Sequence, residues 1–253
     1  KSSRTCPSSD PSSDKLSRPT DSSFASFPCA ANPPHHALKR GLAGDQCKLF
    51  APNDEEYPWK LTKSKDQMRV YSERRRRWRH HEDANLQSLL CVGSTPGSLD
   101  DVMLGIMSST LEVTRTKTSY VDDLSGAAVL STVKAPTAAD PFKATAVKWM
   151  ELDVRRRSSG FVKNRDYVYV EATGVKHLPS GERVGFHVMH SVYIPQAHDL
   201  SGRVRAKLSV CSFFRQRRDD SMSVYVKAIM DPMSSKTRRV GAPCFIKILL
   251  ATV

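Results

Sequence analysis

The chain of 253 residues carries 39 Lys and Arg against 26 Asp and Glu, a formal charge of +13, with 39% hydrophobic residues and 6 cysteines. That composition supports one sizeable core and excludes a collagen, a wholly disordered chain and a disulfide-stapled miniprotein. No apolar run reaches the roughly 18 residues a membrane-crossing helix needs, and the longest candidate, 244–253, is interrupted by Lys247.

Acidic and basic residues balance over 1–56, so the whole excess of positive charge falls on 57–253. A basic surface of that size attracts polyanions, whether nucleic acid or anionic lipid. The cysteines at 6, 29, 47, 91, 211 and 244 form no CxxC pair and lack matching His spacing. Neither a zinc site nor a disulfide framework is expected, and no cofactor is called for. The first residues lack the apolar centre of a signal peptide, which predicts a cytoplasmic location. Because the chain starts at Lys1, its natural N-terminus is expected upstream.

Residues 1–56 are Ser/Pro-rich, show neither a helical nor a strand period, and read as a disordered tail ahead of one domain over 57–253. WKLTK (59–63) and MRVYSE (68–73) flank SKDQ as a hairpin, and LQSLLCVGST (86–95) is a third strand. Ser98 followed by Asp100 and Asp101 is a helix start, with Leu99, Val102, Met103 and Ile106 at helical spacing, predicting a helix over 98–108. A second short helix is expected within 110–121. From Gly126 six strands follow one another: 126–136, 143–154, 165–178, 183–195, 203–216 and 221–232, separated by short polar turns. Pro243 then opens an apolar C-terminal helix carrying Phe245 and Leu249.

Strand parity predicts which side is dry. Over 183–194 the set Val184, Phe186, Val188, His190, Val192, Ile194 is assigned inward; so are Leu208, Val210, Ser212 and Phe214, and then Met222, Val224, Val226, Ala228 and Met230. The result is an α+β fold in which a curved antiparallel sheet has a broad apolar face that the C-terminal helix covers.

Three segments, RDYV (165–168), HSVYIP (190–195) and DPFKATAVKW (140–149), resemble matching segments of START (StAR-related lipid transfer) domains. TPG (95–97), SYVDD (119–123), EATGV (171–175) and GERVGFH (181–187) are similar to a divergent START-like family of microbial eukaryotes. The resemblance covers about residues 57–240. It implies a helix-grip fold, a sheet wrapped around a C-terminal helix, enclosing a tunnel that holds one lipid, a sterol or a phospholipid, in a monomeric, non-enzymatic protein. With the parity sets, it makes Trp149, Val184, Phe186, Val188, His190, Val192, Val210, Ser212, Phe214, Val224, Val226, Phe245 and Leu249 the candidate lipid-binding residues. Gly241 and Pro243 depart from an uninterrupted last helix and predict a short, mobile lid over a partly open tunnel.

The run Arg74, Arg75, Arg76, Arg77, Trp78, Arg79 has the composition of a peripheral docking element for anionic membranes, with Trp78 suited to the interface. Arg155, Arg156 and Arg157, followed by Ser158 and Ser159, form a second basic cluster. Catalysis is not expected: GxSxG, HExxH and Walker A motifs are absent, and His190 and Ser191 alternate across one strand. The rival readings are an enzyme acting on a hydrophobic ligand within the same fold, and a nucleic-acid-binding protein. Nucleic acid is not an expected partner, because the aromatics fall largely on parities assigned to the core.

Overall fold

The computed structural model describes residues 59–74, 86–107, 112, 116, 119, 123–153 and 162–231. The expected tail, the docking residues Arg75, Arg76, Arg77, Trp78 and Arg79, the 155–159 cluster and the C-terminal helix with Phe245 and Leu249 lie outside these residues.

The predicted hairpin is β1 (Trp59–Lys65) and β2 (Met68–Glu73), turning at Asp66, whose φ of 51° suits a residue type that tolerates the left-handed region. Then come β3 (Gln87–Pro96), α1 (Leu99–Ile106), β4 (Leu124–Lys134), β5 (Ala144–Leu152), β6 (Asn164–His177), β7 (Arg183–Ser191), β8 (Arg203–Arg205), β9 (Lys207–Gln216) and β10 (Ser221–Asp231). The strands join in one curved sheet of order β1-β2-β3-β10-β9-β7-β6-β5-β4, so the meander closes back on β3 through β10. Where a second short helix was expected, Glu112, Thr116 and Ser119 are helical, and Thr116 Oγ1 donates to the Glu112 carbonyl at 3.0 Å.

One predicted strand, 203–216, is divided. Arg205 donates to Asp166 Oδ2 at 2.9 Å, and the Ala206 N–H donates to the Asp166 carbonyl at 2.9 Å, which sets β8 parallel to the start of β6. β9 then runs on between β10 and β7.

The inner face is fixed by register. Val70, Cys91, Val226 and Ser212 form one row across β2, β3, β10 and β9, and Leu89, Ala228 and Val210 form another. All are buried, most in the main apolar cluster. α1 packs on the same face. Ser98 caps it in a capping box with Asp101, and Leu99, Met103 and Ile106 are its buried stripe. A Cβ on Gly185 of β7 would lie 2.6 Å from Met103 Sδ and 2.9 Å from Leu99 Cδ1, so the helix rests directly on that glycine. The Leu99 N–H also donates to Gln216 Oε1 at 2.7 Å, and Arg183 pairs with Asp100 at 2.5 Å.

The β1–β2 turn presses on β3 just as closely. A Cβ on Gly93 would lie 2.3 Å from the Gln67 carbonyl oxygen and 2.8 Å from the Met68 Cα, both backbone atoms with little freedom to yield. Gly93→Ala is expected to cost about 1–3 kcal/mol in a denaturant titration. An unchanged midpoint would mean the hairpin lifts away freely.

Candidate functional site

The inner face is apolar over most of its width and carries one polar group. Across β2, β3, β10 and β9 it is apolar: Met68, Val70, Leu89, Cys91, Leu208, Val210, Phe214, Met222, Val224, Val226, Ala228 and Met230 are buried in one cluster. Across β5 and β6 the same cluster continues through Met150, Leu152, Tyr167 and Tyr169, and one polar group interrupts it. There Lys148 of β5 pairs with Glu171 of β6, and His187 of β7 reaches the other oxygen of the same carboxylate, Nε2 to Oε1, at 3.0 Å.

Register makes this meeting necessary. Lys148 is opposite Tyr169, one inward position from Glu171 along β6, while Thr173 is opposite His187. All three charged or titratable groups therefore project from the same face. Lys148 is 2% exposed. Burial alone would raise the Glu171 pKa. The hydrogen bond and charge of His187, together with the charge and hydrogen bond of Lys148, outweigh it and hold the carboxyl at about 2. The carboxylate is thus ionised at neutral pH inside the protein. Burial, and then the Glu171 charge, push the phenol of the neighbouring Tyr169 well above its ordinary range.

Thr132, Lys134, Ala144, Ala146, Thr173 and Met107 complete the walls around Lys148 and Glu171, leaving a space of about 10 Å³ that suits a single water. Thr173 Oγ1 is anchored on the Phe142 carbonyl at 2.9 Å. Chemically, the arrangement offers an ammonium, a carboxylate and an imidazole to a polar group, bordered by hydrocarbon. Among the described residues no group of three or more His, Cys, Asp or Glu is placed to hold a metal ion.

Of the candidate lipid-binding residues, Val210, Ser212, Phe214, Val224 and Val226 do face inward and are buried. The assignment on β7 is corrected. Gly185 touches α1, and Met189, opposite Val210, packs on the core, so Gly185, His187 and Met189 point inward, while Val184, Phe186, Val188 and His190 point to the opposite face, with His190 exposed. The physical reason is α1: it sits so close to β7 that only a glycine fits beneath it, and the larger apolar residues take the other side. Trp149 is corrected likewise. It projects away from Lys148 and Met150, and its Nε1 donates to Asp166 Oδ2 at 3.0 Å on the opposite face. Val192 lies past the end of β7, half-buried, with its N–H donating to the Val168 carbonyl at 3.0 Å. Arg74 is exposed at the end of β2.

Lys148, Glu171 and His187 were missed in the sequence. Their signal was a lysine within the otherwise apolar alternate set Ala146, Lys148, Met150, Leu152 and an acid at the matching parity of the next strand. Asp166, in the RDYV segment, joins Trp149 and Arg205 on the outer face.

Solved structures share this arrangement of strands. The human StAR-related lipid transfer protein 5 superposes with a TM-score of 0.55 at 13% identity, covering 86% of this chain and 95% of its own. The fold is START-like. The lipid transfer and protein localization domain of human StarD13 (DLC2) gives a TM-score of 0.51 at 16% identity over 77% of this chain and 86% of that one. Human STARD10 gives 0.50 at 13% identity over 85% and 77%. No family model matches the sequence, and no curated protein matches it.

Proposed function

We propose that this domain binds one lipid, a sterol or a phospholipid, on its inner face and carries or senses it without chemical conversion, docking on anionic membranes through Arg74–Arg79. The observation that carries this reading is the division of the inner face between a broad apolar surface and one polar group, the buried Lys148 with the half-buried Glu171 and His187. An amphiphile has the same division. Removing a sixteen-carbon chain from a bilayer forfeits about 13 kcal/mol at 0.8 kcal/mol per methylene, which only a broad hydrocarbon surface restores. The polar groups beside it then receive the headgroup or hydroxyl, replacing the water the small space accommodates.

Extraction of the purified protein followed by lipid mass spectrometry tests this directly, with one lipid per chain as the expected result. Val226→Trp, in the middle of the inner face, is expected to abolish uptake. Val188→Trp, on the opposite face, is expected to leave it unchanged. Equal uptake by a folded Val226→Trp variant would show that the lipid does not lie on this face.

A further inference from the structure

The face turned away from the core carries a row of aromatic rings across three neighbouring strands. Phe186 of β7 is directly opposite Phe213 of β9, and Phe213 is opposite Tyr225 of β10. The row continues to Val92 of β3 and Arg69 of β2. At its other end the Phe186 ring lies over Gly174 of β6, where a Cβ would come within 2.7 Å of it. Phe213 is 45% exposed, whereas Phe214, the next residue but on the inner face, is 1% exposed.

Cations border these rings. Arg69, exposed, stands in the row itself. Lys227 stands in the next row, opposite Cys211 and Leu90, and Lys176, exposed, in the row on the other side, opposite Val184. Arg215, in that last row, is already paired with Glu182 of the β6–β7 turn at 2.6 Å. Across β6, β7, β9, β10, β3 and β2 these three rows contain no carboxylate.

We infer that this face binds single-stranded nucleic acid, with bases stacking on Phe186, Phe213 and Tyr225 and phosphates meeting Arg69, Lys176 and Lys227. Stacking uses ring faces on a flat platform, is tolerant of sequence, and requires a positive border to follow the backbone. The three rings span two strand spacings of about 4.8 Å, about 10 Å, and the row from Gly174 to Arg69 spans five, about 24 Å, enough for several extended nucleotides. A membrane is the weaker match for the same chemistry, because these rings lie among the side chains of a continuous sheet and do not project from a loop into hydrocarbon. The expectation that the aromatics are buried failed on β7, and with it the ground for setting nucleic acid aside. The face is opposite the one proposed for lipid, so the two activities are separable.

The test is fluorescence anisotropy of the full chain with a labelled, mixed-sequence single strand of about twelve nucleotides, as DNA and as RNA. Phe213→Leu retains charge and apolar character but loses the ring, and is expected to weaken binding at least about fivefold. Phe213→Tyr is expected to retain wild-type affinity. Arg69→Gln and Lys227→Gln should each lessen the slope of log affinity against log salt by about 0.7. Lipid occupancy should be the same in all four variants. Absence of oligonucleotide binding would overturn the inference. So would a Phe213→Leu variant that binds as wild type, since any affinity would then be charge alone. Loss of anionic-vesicle binding in Phe213→Leu, with no competition by the oligonucleotide, would overturn it in favour of a membrane-facing surface. Arg69 is exposed on β2, so an unchanged salt slope in Arg69→Gln would overturn the inference even if changes at Phe213 disturb folding.

Discussion

Replacing Glu171 with Gln is expected to lower the free energy of unfolding by about 3–5 kcal/mol, because it leaves the Lys148 ammonium buried without its counter-charge. The double variant Lys148→Met, Glu171→Gln removes the stranded charge while keeping an acceptor for His187, and should return to within about 1 kcal/mol of the wild type. It should nevertheless lose lipid, since the polar end of the proposed site is gone. Stability and binding are thereby separated. Acid should act on the same carboxylate. Its pKa in the folded protein, about 2, lies below the ordinary 4.5, so its contribution is present above about pH 4.5 and is lost as pH falls through 2. A gap of that size corresponds to about 3 kcal/mol. Denaturant titrations at a series of pH values should show this loss in the wild type and its absence in the double variant. A single Glu171→Gln variant as stable as the wild type would show that Lys148 needs no counter-charge.

Changing Arg74, Arg75, Arg76, Arg77 and Arg79 to Gln is expected to remove most of the affinity for anionic vesicles. Each arginine near such a surface contributes about 1 kcal/mol, giving an upper bound of about 5 kcal/mol for the five, or a several-thousandfold change. The wild-type interaction should also fade with added salt, because exposed charges are screened beyond about 8 Å at physiological ionic strength. Co-sedimentation with vesicles containing phosphatidylserine, across a salt series, measures both. Binding that ignores salt, or a variant that sediments as well as the wild type, would place docking elsewhere. Phe213→Leu is a useful companion in this assay, because it leaves the arginines intact.

The strands were legible because alternation and turn residues agree along most of the chain. On β9 and β10 the inward set is apolar apart from Ser212, while the outward set includes Ser209, Arg215, Ser223 and Lys227, so parity gives the core face correctly. On β7 the rule failed for a definable reason. Both alternate sets contain apolar residues, and the deciding residue is Gly185, which has no side chain for a hydropathy reading to register. Trp149 misled in the same way: a large ring suggested a core or a ligand, but its indole N–H found Asp166 on the outer face. The Lys148 and Glu171 pair depends on the register between β5 and β6, which links residues 23 apart in sequence and is set by the whole sheet. Ala206 likewise looked like an ordinary strand residue, and the break there depends on Asp166, far away along the chain.

The pinning of α1 bears on how the inner face could be reached. Its first N–H is held by Gln216, whose Nε2 also donates to the Gly97 carbonyl at 3.3 Å and to the Ser221 carbonyl at 3.2 Å. The Gly97 N–H donates in turn to the Asp220 carbonyl at 3.1 Å, and Arg183 holds Asp100 from β7. The helix is thus moored to the β9–β10 hairpin by one glutamine and to β7 by an arginine, with Gly185 against its underside. A swinging door requires a free hinge on one side, and this helix is tied on two. Traffic to the inner face through this end of the sheet would have to break those ties together, so α1 acts as fixed masonry, and a molecule entering the proposed site would cross another margin of the sheet.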